Sequence, residues 1–213
     1  MSQMLFAKYS HIEWVNMVGE ELPFEAAATG NHESGKSDLV FKRSRNERTQ
    51  TTVEVIRDGE DTKIVKQSSE VMDLQLVKVK DNSFVGFIRD EYTTLPEDSN
   101  RPLFVYLNIG WIYEHTEDAY GEDPSRYAAA EQIRDIASTV FEQVESQSIQ
   151  NLIYNIGRRV LERFPQLTEV TFESQNRTWD TVVEEIPDSE SKVYTEPRLP
   201  FGFQRFSVTR DDL

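Results

Sequence analysis

An α+β fold is predicted, and three features predict it: a long alternating apolar stretch from Leu103 to Tyr113, two helical repeats directly after it, and further alternating stretches on either side. From His11 to Glu21, Ile12, Trp14, Val15, Met17 and Val18 form an apolar, partly β-branched run that stops at Leu22-Pro23, which reads as a strand. A polar, glycine-containing loop is expected next. Asp38 to Ile56 carries alternating and β-branched positions, Asp58-Gly59 is a hairpin-type turn signal, and Thr62 to Val65 returns as the partner strand. Residues 1–70 therefore read as β. Met72 to Lys80 alternates through Leu74, Leu76, Val77 and Val79 up to the polar turn Asp81-Asn82, and Phe84 to Ile88 reads as another strand. After a loop carrying Pro96, Asp98, Asn100 and Pro102, the positions Leu103, Val105, Leu107, Ile109, Trp111 and Tyr113 share one face.

Asp123-Pro124 supplies an N-cap followed by proline at the first helical position, and Ile133, Ile136, Ala137, Val140 and Val144 then recur at helical spacing. Ser148 is a second N-cap candidate. The helix after it shows Ile149, Leu152, Ile153, Ile156 and Val160 and stops at Phe164-Pro165. Val170 and Phe172 alternate with Glu169, Thr171 and Glu173 in a strand, and Gly202 to Thr209 supplies the last one. The order from Met72 onward is ββααββ. Tyr9, Ile12 and Val15 also align with Phe164, Leu167 and Val170, each set leading into a strand. Such a three-position match also arises by chance. If it marks a repeat, the chain opens at the end of the second helix of an earlier unit, whose last two strands fill residues 1–70.

Composition narrows the function. The chain has 213 residues, 38 acidic and 23 basic, for a formal charge of -15. That charge repels phosphate backbones and no basic stripe offsets it, so no nucleic-acid partner is expected. With 12 Phe, 8 Tyr and 3 Trp the chain is too aromatic for an acidic disordered segment, and a packed core is expected. The absence of cysteine removes disulfides, thiolate nucleophiles, zinc ribbons and iron–sulfur clusters. His11, His32 and His115 are too scattered for a metal-ligand spacing, so no metal is expected. Apolar runs such as Leu103 to Leu107 fall far short of the roughly 20 residues of a membrane span, so no membrane partner is expected either. The N-terminus lacks the charged start, apolar stretch and cleavage site of a secretory signal, and a cytoplasmic location follows as the expectation. The sequon Asn176-Arg177-Thr178 is then idle. The acidic runs Glu184-Glu185 and Asp188 to Glu190 read as a solvated loop, and no glycine-rich phosphate loop is present.

Three segments carry a resemblance: FVGFIRDEYTTLPEDSNR (Phe84 to Arg101), SIQNLIY (Ser148 to Tyr154) and VTFESQNRTWD (Val170 to Asp180). With the tail from Val193 to Leu213, they make the chain similar to cofactor-independent urate oxidases, or uricases, of the Bacillus type, from about Lys8 to its end. The resemblance implies a tunnelling fold: one complete ββααββ unit, residues 71–213, preceded by the C-terminal half of another, residues 1–70. It also implies that roughly the N-terminal third of the family's chain is lacking. The implied activity is oxidation of urate by molecular oxygen to 5-hydroxyisourate and hydrogen peroxide, with no metal or organic cofactor.

By the same resemblance, Phe84 stacks on the purine, Arg101 clamps its oxygen and nitrogen, and Leu95 forms an apolar wall. Gln150 pairs with the opposite purine edge and Ile149 offers its backbone N–H, while Asn176 holds oxygen or water over the substrate plane. The chemistry suits these assignments. A guanidinium fork matches a delocalised anion, a flat ring fixes its plane, a helix N-terminus favours negative charge, and an amide both donates and accepts. Many uricases follow the Asn with Lys and His; here Arg177 and Thr178 stand instead, and a hydroxyl at Thr178 passes a proton but is no base of neutral pKa. The Lys and Thr that form the family's base match no residue here. Each residue also has an ordinary reading: Phe84 as strand core, Arg101 in a solvated pair with Glu97 or Asp98, Gln150 capping its own helix, Asn176 turning the chain. Two further functions stay open: a catalytically inactive tunnelling-fold binding or assembly protein, and an unrelated acidic α+β interaction domain. A homo-oligomer is expected, a tetramer in the family, with urate and oxygen as the small-molecule partners.

Overall fold

The computed structural model describes residues 2–30, 35–94, 96–99, 101–145, 148–189 and 191–213. A short helix α1 (Ser2–Lys8) leads into β1 (Trp14–Glu20), followed by β2 (Phe24–Ala28), β3 (Lys36–Arg43), β4 (Arg48–Asp58), β5 (Asp61–Lys78) and β6 (Leu103–Tyr113). Helices α2 (Ala130–Gln143) and α3 (Ile149–Arg163) come next, then β7 (Leu167–Arg177), β8 (Thr181–Val183), β9 (Val193–Tyr194) and β10 (Gly202–Thr209). Six strands form one antiparallel sheet in the order β1-β4-β5-β6-β7-β10, while β2 with β3 and β8 with β9 form separate hairpins. From β5 onward the main sheet and its two helices follow the order ββααββ.

The core lies between α2, α3 and one sheet face. Strand β6 shows why: Leu103, Val105, Leu107, Ile109, Trp111 and Tyr113 are all buried, as their alternation predicts, while Phe104, Tyr106, Asn108 and Ile112 face the other way. Against them pack Ile133, Ala137, Val140 and Phe141 of α2 and Leu152, Ile153, Ile156 and Val160 of α3. Each buried Val, Leu, Ile or Phe side chain among these contributes about 1.5–3 kcal/mol of transfer free energy. The buried Tyr113 keeps its hydroxyl satisfied by accepting from the Ala128 N–H at 2.9 Å. The start of α3 is as the sequence indicates, with Ser148 Oγ accepting from Asn151 N at 3.1 Å.

Several expectations are corrected. Phe84 to Ile88 is not a strand; only Phe84 makes a bridge, to Asp98, because Asp81 (φ 62°) and Gly86 (φ 68°) turn the chain out of extended conformation on both sides. Asp123-Pro124 does not open α2 but caps a three-residue 3-10 turn, with Asp123 accepting from Ser125 N, and α2 begins at Ala130. The polar loop after Pro23 contains β2, which pairs with β3, and the Asp38–Ile56 stretch breaks into β3 and β4. Thr62–Val65 and the stretch from Met72 to Lys78 belong to one strand, β5. Register shifts absorb the change of pattern, one of them where Asp73 adopts φ 57°.

The repeated Tyr9/Phe164 pattern has a matching set of contacts. Arg57, at the end of β4, donates from Nη2 to Phe6 O (2.9 Å) and Tyr9 O (3.2 Å) and from Nε to Ile12 O (3.1 Å). Arg210, just after β10, donates from Nη2 to Phe164 O (2.7 Å) and from Nε to Leu167 O (2.9 Å). At both places one guanidinium satisfies the carbonyls where a helix hands over to a strand. Arg210→Ala removes two charge-assisted bonds and is expected to destabilise the fold by on the order of 2 kcal/mol, read as a lower urea midpoint at unchanged m-value.

Candidate functional site

The site is built on the connection between β5 and β6. Asn82 is buried, and its Nδ2 donates to Lys78 O (3.1 Å), Lys80 O (3.2 Å) and Arg101 O (3.2 Å), so one amide ties the start of the connection to its end. Arg101 N donates to Asn82 O at 2.9 Å, and Phe84 and Asp98 exchange backbone hydrogen bonds at 2.7 and 3.1 Å. These bonds bring the Arg101 guanidinium over the Phe84 ring, with Cζ 4.5 Å from the ring centroid. Sequence reasoning took Asp81-Asn82 for a simple turn and missed Asn82. Its only signal was an amide placed between two strands.

Arg101 and Thr178 line the same cleft, about 550 Å³ in volume, together with Asp98, Trp179, Lys192 and Tyr194. Trp179 is wedged between Phe104 and Tyr194, at 5.8 and 5.9 Å between ring centroids. The two cations of the cleft differ in kind. Lys192 pairs with Glu184 at 2.9 Å, and that hydrogen bond raises its pKa, holding it protonated. Arg101 is half-buried, and among the described residues its guanidinium makes no hydrogen bond or ion pair, with Glu97 and Asp98 included. Burial lowers its pKa against the opposing pull of the Asp98 carboxylate, but a guanidinium stays charged at neutral pH. A partly desolvated cation with vacant donors favours an anion.

The other residues fall in two groups. Asn176, near the end of β7, pairs with Val105 and Gly202; its Oδ1 is buried and accepts no hydrogen bond among the described residues. The next side chain, Arg177, lies 3.6 Å from the Tyr106 ring centroid and 4.4 Å from that of Phe201, and its Nη2 donates to Gln175 Oε1 at 2.9 Å. Asn176 therefore continues a regular strand, and the turn begins only beyond Arg177. At the start of α3, Ile149 is buried and Gln150 exposed. Ser148 rather than Gln150 caps that helix. The structure thus brings Phe84 against Arg101 and sets Arg101 and Thr178 on one cleft. Ile149, Gln150 and Asn176 do not line that cleft, and among the described residues no hydrogen bond, ion pair or ring contact joins them to Arg101. Leu95 lies outside the described residues.

Comparison with known proteins identifies the family. The model described as Uricase matches residues 67–205. The "Uric acid degradation bifunctional protein PucL" of Bacillus subtilis (strain 168) is 65% identical over 205 residues, covering 96% of this chain and 42% of that protein. The "Uricase" of Halalkalicoccus jeotgali is 48% identical over 206 residues, covering 96% of this chain and 67% of its own length. A crystal structure of urate oxidase from Bacillus sp. TB-90 superposes with a TM-score of 0.88 at 61% identity, over 98% of this chain and 69% of that one. The chain thus spans well under half of the bifunctional relative. Its sheet and two helices are those of the tunnelling fold. On the family match and on these identities together, the chain belongs to the uricase family.

Proposed function

We propose that this chain supplies the substrate-binding part of a urate oxidase, which converts urate, oxygen and water to 5-hydroxyisourate and hydrogen peroxide. The observation that carries this reading is the half-buried Arg101 guanidinium, unpaired among the described residues, which lies against the Phe84 ring and lines a cleft, an arrangement suited to a flat organic anion. In this reading the Phe84 ring stacks on the purine, Arg101 holds two of its in-plane acceptors, and Leu95 completes the apolar wall. Gln150 and the Ile149 N–H meet the opposite edge, Asn176 positions oxygen or water, and Thr178 relays a proton. Vacant Asn176 Oδ1 supports its part, since a buried amide oxygen without a donor has capacity for a water or ligand.

The proton acceptor is proposed to come from polypeptide outside these 213 residues, as a Lys and Thr pair. Lys192 does not serve, because its pairing with Glu184 holds the proton on the amine that a base would need free. The working assembly is proposed to be a homotetramer in the cytoplasm. Among the described residues no helix is long and apolar enough to cross a membrane.

Two measurements test the reading. Saturation-transfer NMR with urate should show binding to the 213-residue chain, while peroxide formation by the chain alone stays very slow, since general-base catalysis is worth about 100- to 10,000-fold. Adding the N-terminal third of a related uricase in trans should restore peroxide production from urate. Absence of urate binding in both preparations would favour the inactive tunnelling-fold alternative.

A further inference from the structure

We propose that Asn82 is the positioning residue of the Arg101 guanidinium: its buried amide ties the Arg101 backbone to the end of β5, which aims the guanidinium and so sets the affinity of the site. The effect on affinity rests on the binding role proposed for Arg101. Asn82 is 1% exposed, so it acts through another residue and not on a ligand. Its two N–H bonds are shared among three carbonyls: Lys78 O at the end of β5, Lys80 O in the turn, and Arg101 O two residues before β6. Its Oδ1 is buried as well and accepts no hydrogen bond among the described residues. A buried acceptor left empty costs stability, which argues for a role of this amide beyond holding the core together.

The anchor is firm where the side chain it serves is not. Lys78 pairs with Leu103 across β5 and β6, and its Nζ donates to Glu142 O and Val144 O at the end of α2, both at 3.1 Å. The point of attachment is therefore fixed in the sheet and against the helix layer. The Arg101 guanidinium has no hydrogen-bonded acceptor among the described residues, and it lies with Cζ 4.5 Å from the Phe84 centroid. Its direction is thus left to its backbone. Arg101 N donates to Asn82 O at 2.9 Å, a bond that persists whatever side chain stands at 82, while Arg101 O accepts from Asn82 Nδ2. Residue 82 holds Arg101 on both sides of its Cα, once by main chain and once by side chain. Two attachments fix the direction of the Cα–Cβ bond where one leaves a rotation free. Without the amide, apparent affinity falls with the fraction of chains in which Arg101 is still aimed correctly.

The test compares the 213-residue chain with Asn82→Ala and Asn82→Ser, each alone and combined with Arg101→Lys, with Arg101→Ala alongside. Without ligand, the Arg101 Nε–Hε proton should carry a ring-current shift from Phe84 in nitrogen-resolved NMR. That shift should be lost in Asn82→Ala and partly kept in Asn82→Ser, whose hydroxyl retains one donor. Urate affinity should fall about 3- to 10-fold in Asn82→Ala, as for a competent fraction reduced to roughly a tenth to a third. In the Arg101→Lys background, which has no planar fork to aim, the same change should cost less than about 2-fold. An equal loss in both backgrounds, or failure of both Asn82 variants to fold, shows a purely structural role and overturns the proposal. So does an unchanged ring-current shift, or unchanged affinity, in Asn82→Ala when Arg101→Ala still loses urate. If wild type binds no urate while Asn82→Ala loses the shift, the positioning of the guanidinium stands and the binding reading falls.

Discussion

Arg101→Ala is expected to weaken urate binding at least about 30-fold, equivalent to about 2 kcal/mol or more, and to abolish the peroxide formation restored by complementation. The magnitude follows from the state of the side chain. Arg101 is half-buried over Phe84 with no hydrogen-bonded acceptor among the described residues, so the cost of desolvating it is already met in the free protein. A bound anion then gains a charge-assisted, two-pronged contact. Alanine removes both prongs. Arg101→Lys should recover only part of the affinity, because an ammonium keeps the charge and loses the planar fork. Full activity of Arg101→Ala in the complemented enzyme would sink the assignment of this cleft to urate. Full recovery by lysine would show that charge alone is read.

What was legible in the sequence was what local periodicity determines. The alternation from Leu103 to Tyr113 has a single solution, a strand with one buried face, and the structure buries all six positions. The apolar spacing of α3 and the Ser148 cap are equally local. Features set by distant partners were not legible. Phe84 to Ile88 has strand-like composition, but a positive φ at Gly86 and the pairing of Phe84 with Asp98 made it an irregular loop. The β2 strand is recognisable only through its partner β3, and β5 reads as two strands because its bulges interrupt the alternation. For the site, matching motifs rather than periodicity drew attention to Phe84 and Arg101. The amide that ties Arg101 back to the end of β5 is that of Asn82, which no motif marked. Thr178 reaches the same cleft from the far end of β7, a proximity visible only after β6 and β7 are paired.

Gly157→Val is expected to cost about 3 kcal/mol or more, among the largest effects of any single change outside the cleft. A glycine inside a helix ordinarily loses about 1 kcal/mol relative to alanine, so its place in α3 calls for a packing reason. A Cβ at Gly157 would stand 2.7 Å from Val208 Cγ2, 2.9 Å from Val208 Cβ and 3.0 Å from Phe172 Cε2, all in the buried layer where α3 meets β7 and β10. Those neighbours have little room: Val208 and Phe172 are each 1% exposed. Even Gly157→Ala should be destabilising, since overpacking of about 1–3 kcal/mol exceeds the gain in helix propensity. Gly19, with nothing within 4 Å of its would-be Cβ, supplies the control, and Gly19→Ala should leave the urea midpoint nearly unchanged. In the proposed reading the consequence reaches the urate site as well. Helix α3 carries Ile149 and Gln150 at its start, and β7 carries Asn176, so lifting α3 off β7 changes the spacing between them. Urate affinity should therefore fall in Gly157→Val under conditions where the variant is still folded. A Gly157→Ala protein as stable as wild type would mean that α3 slides over β7 without cost, and the close approach would lose its claim to fix the spacing between the start of α3 and the end of β7.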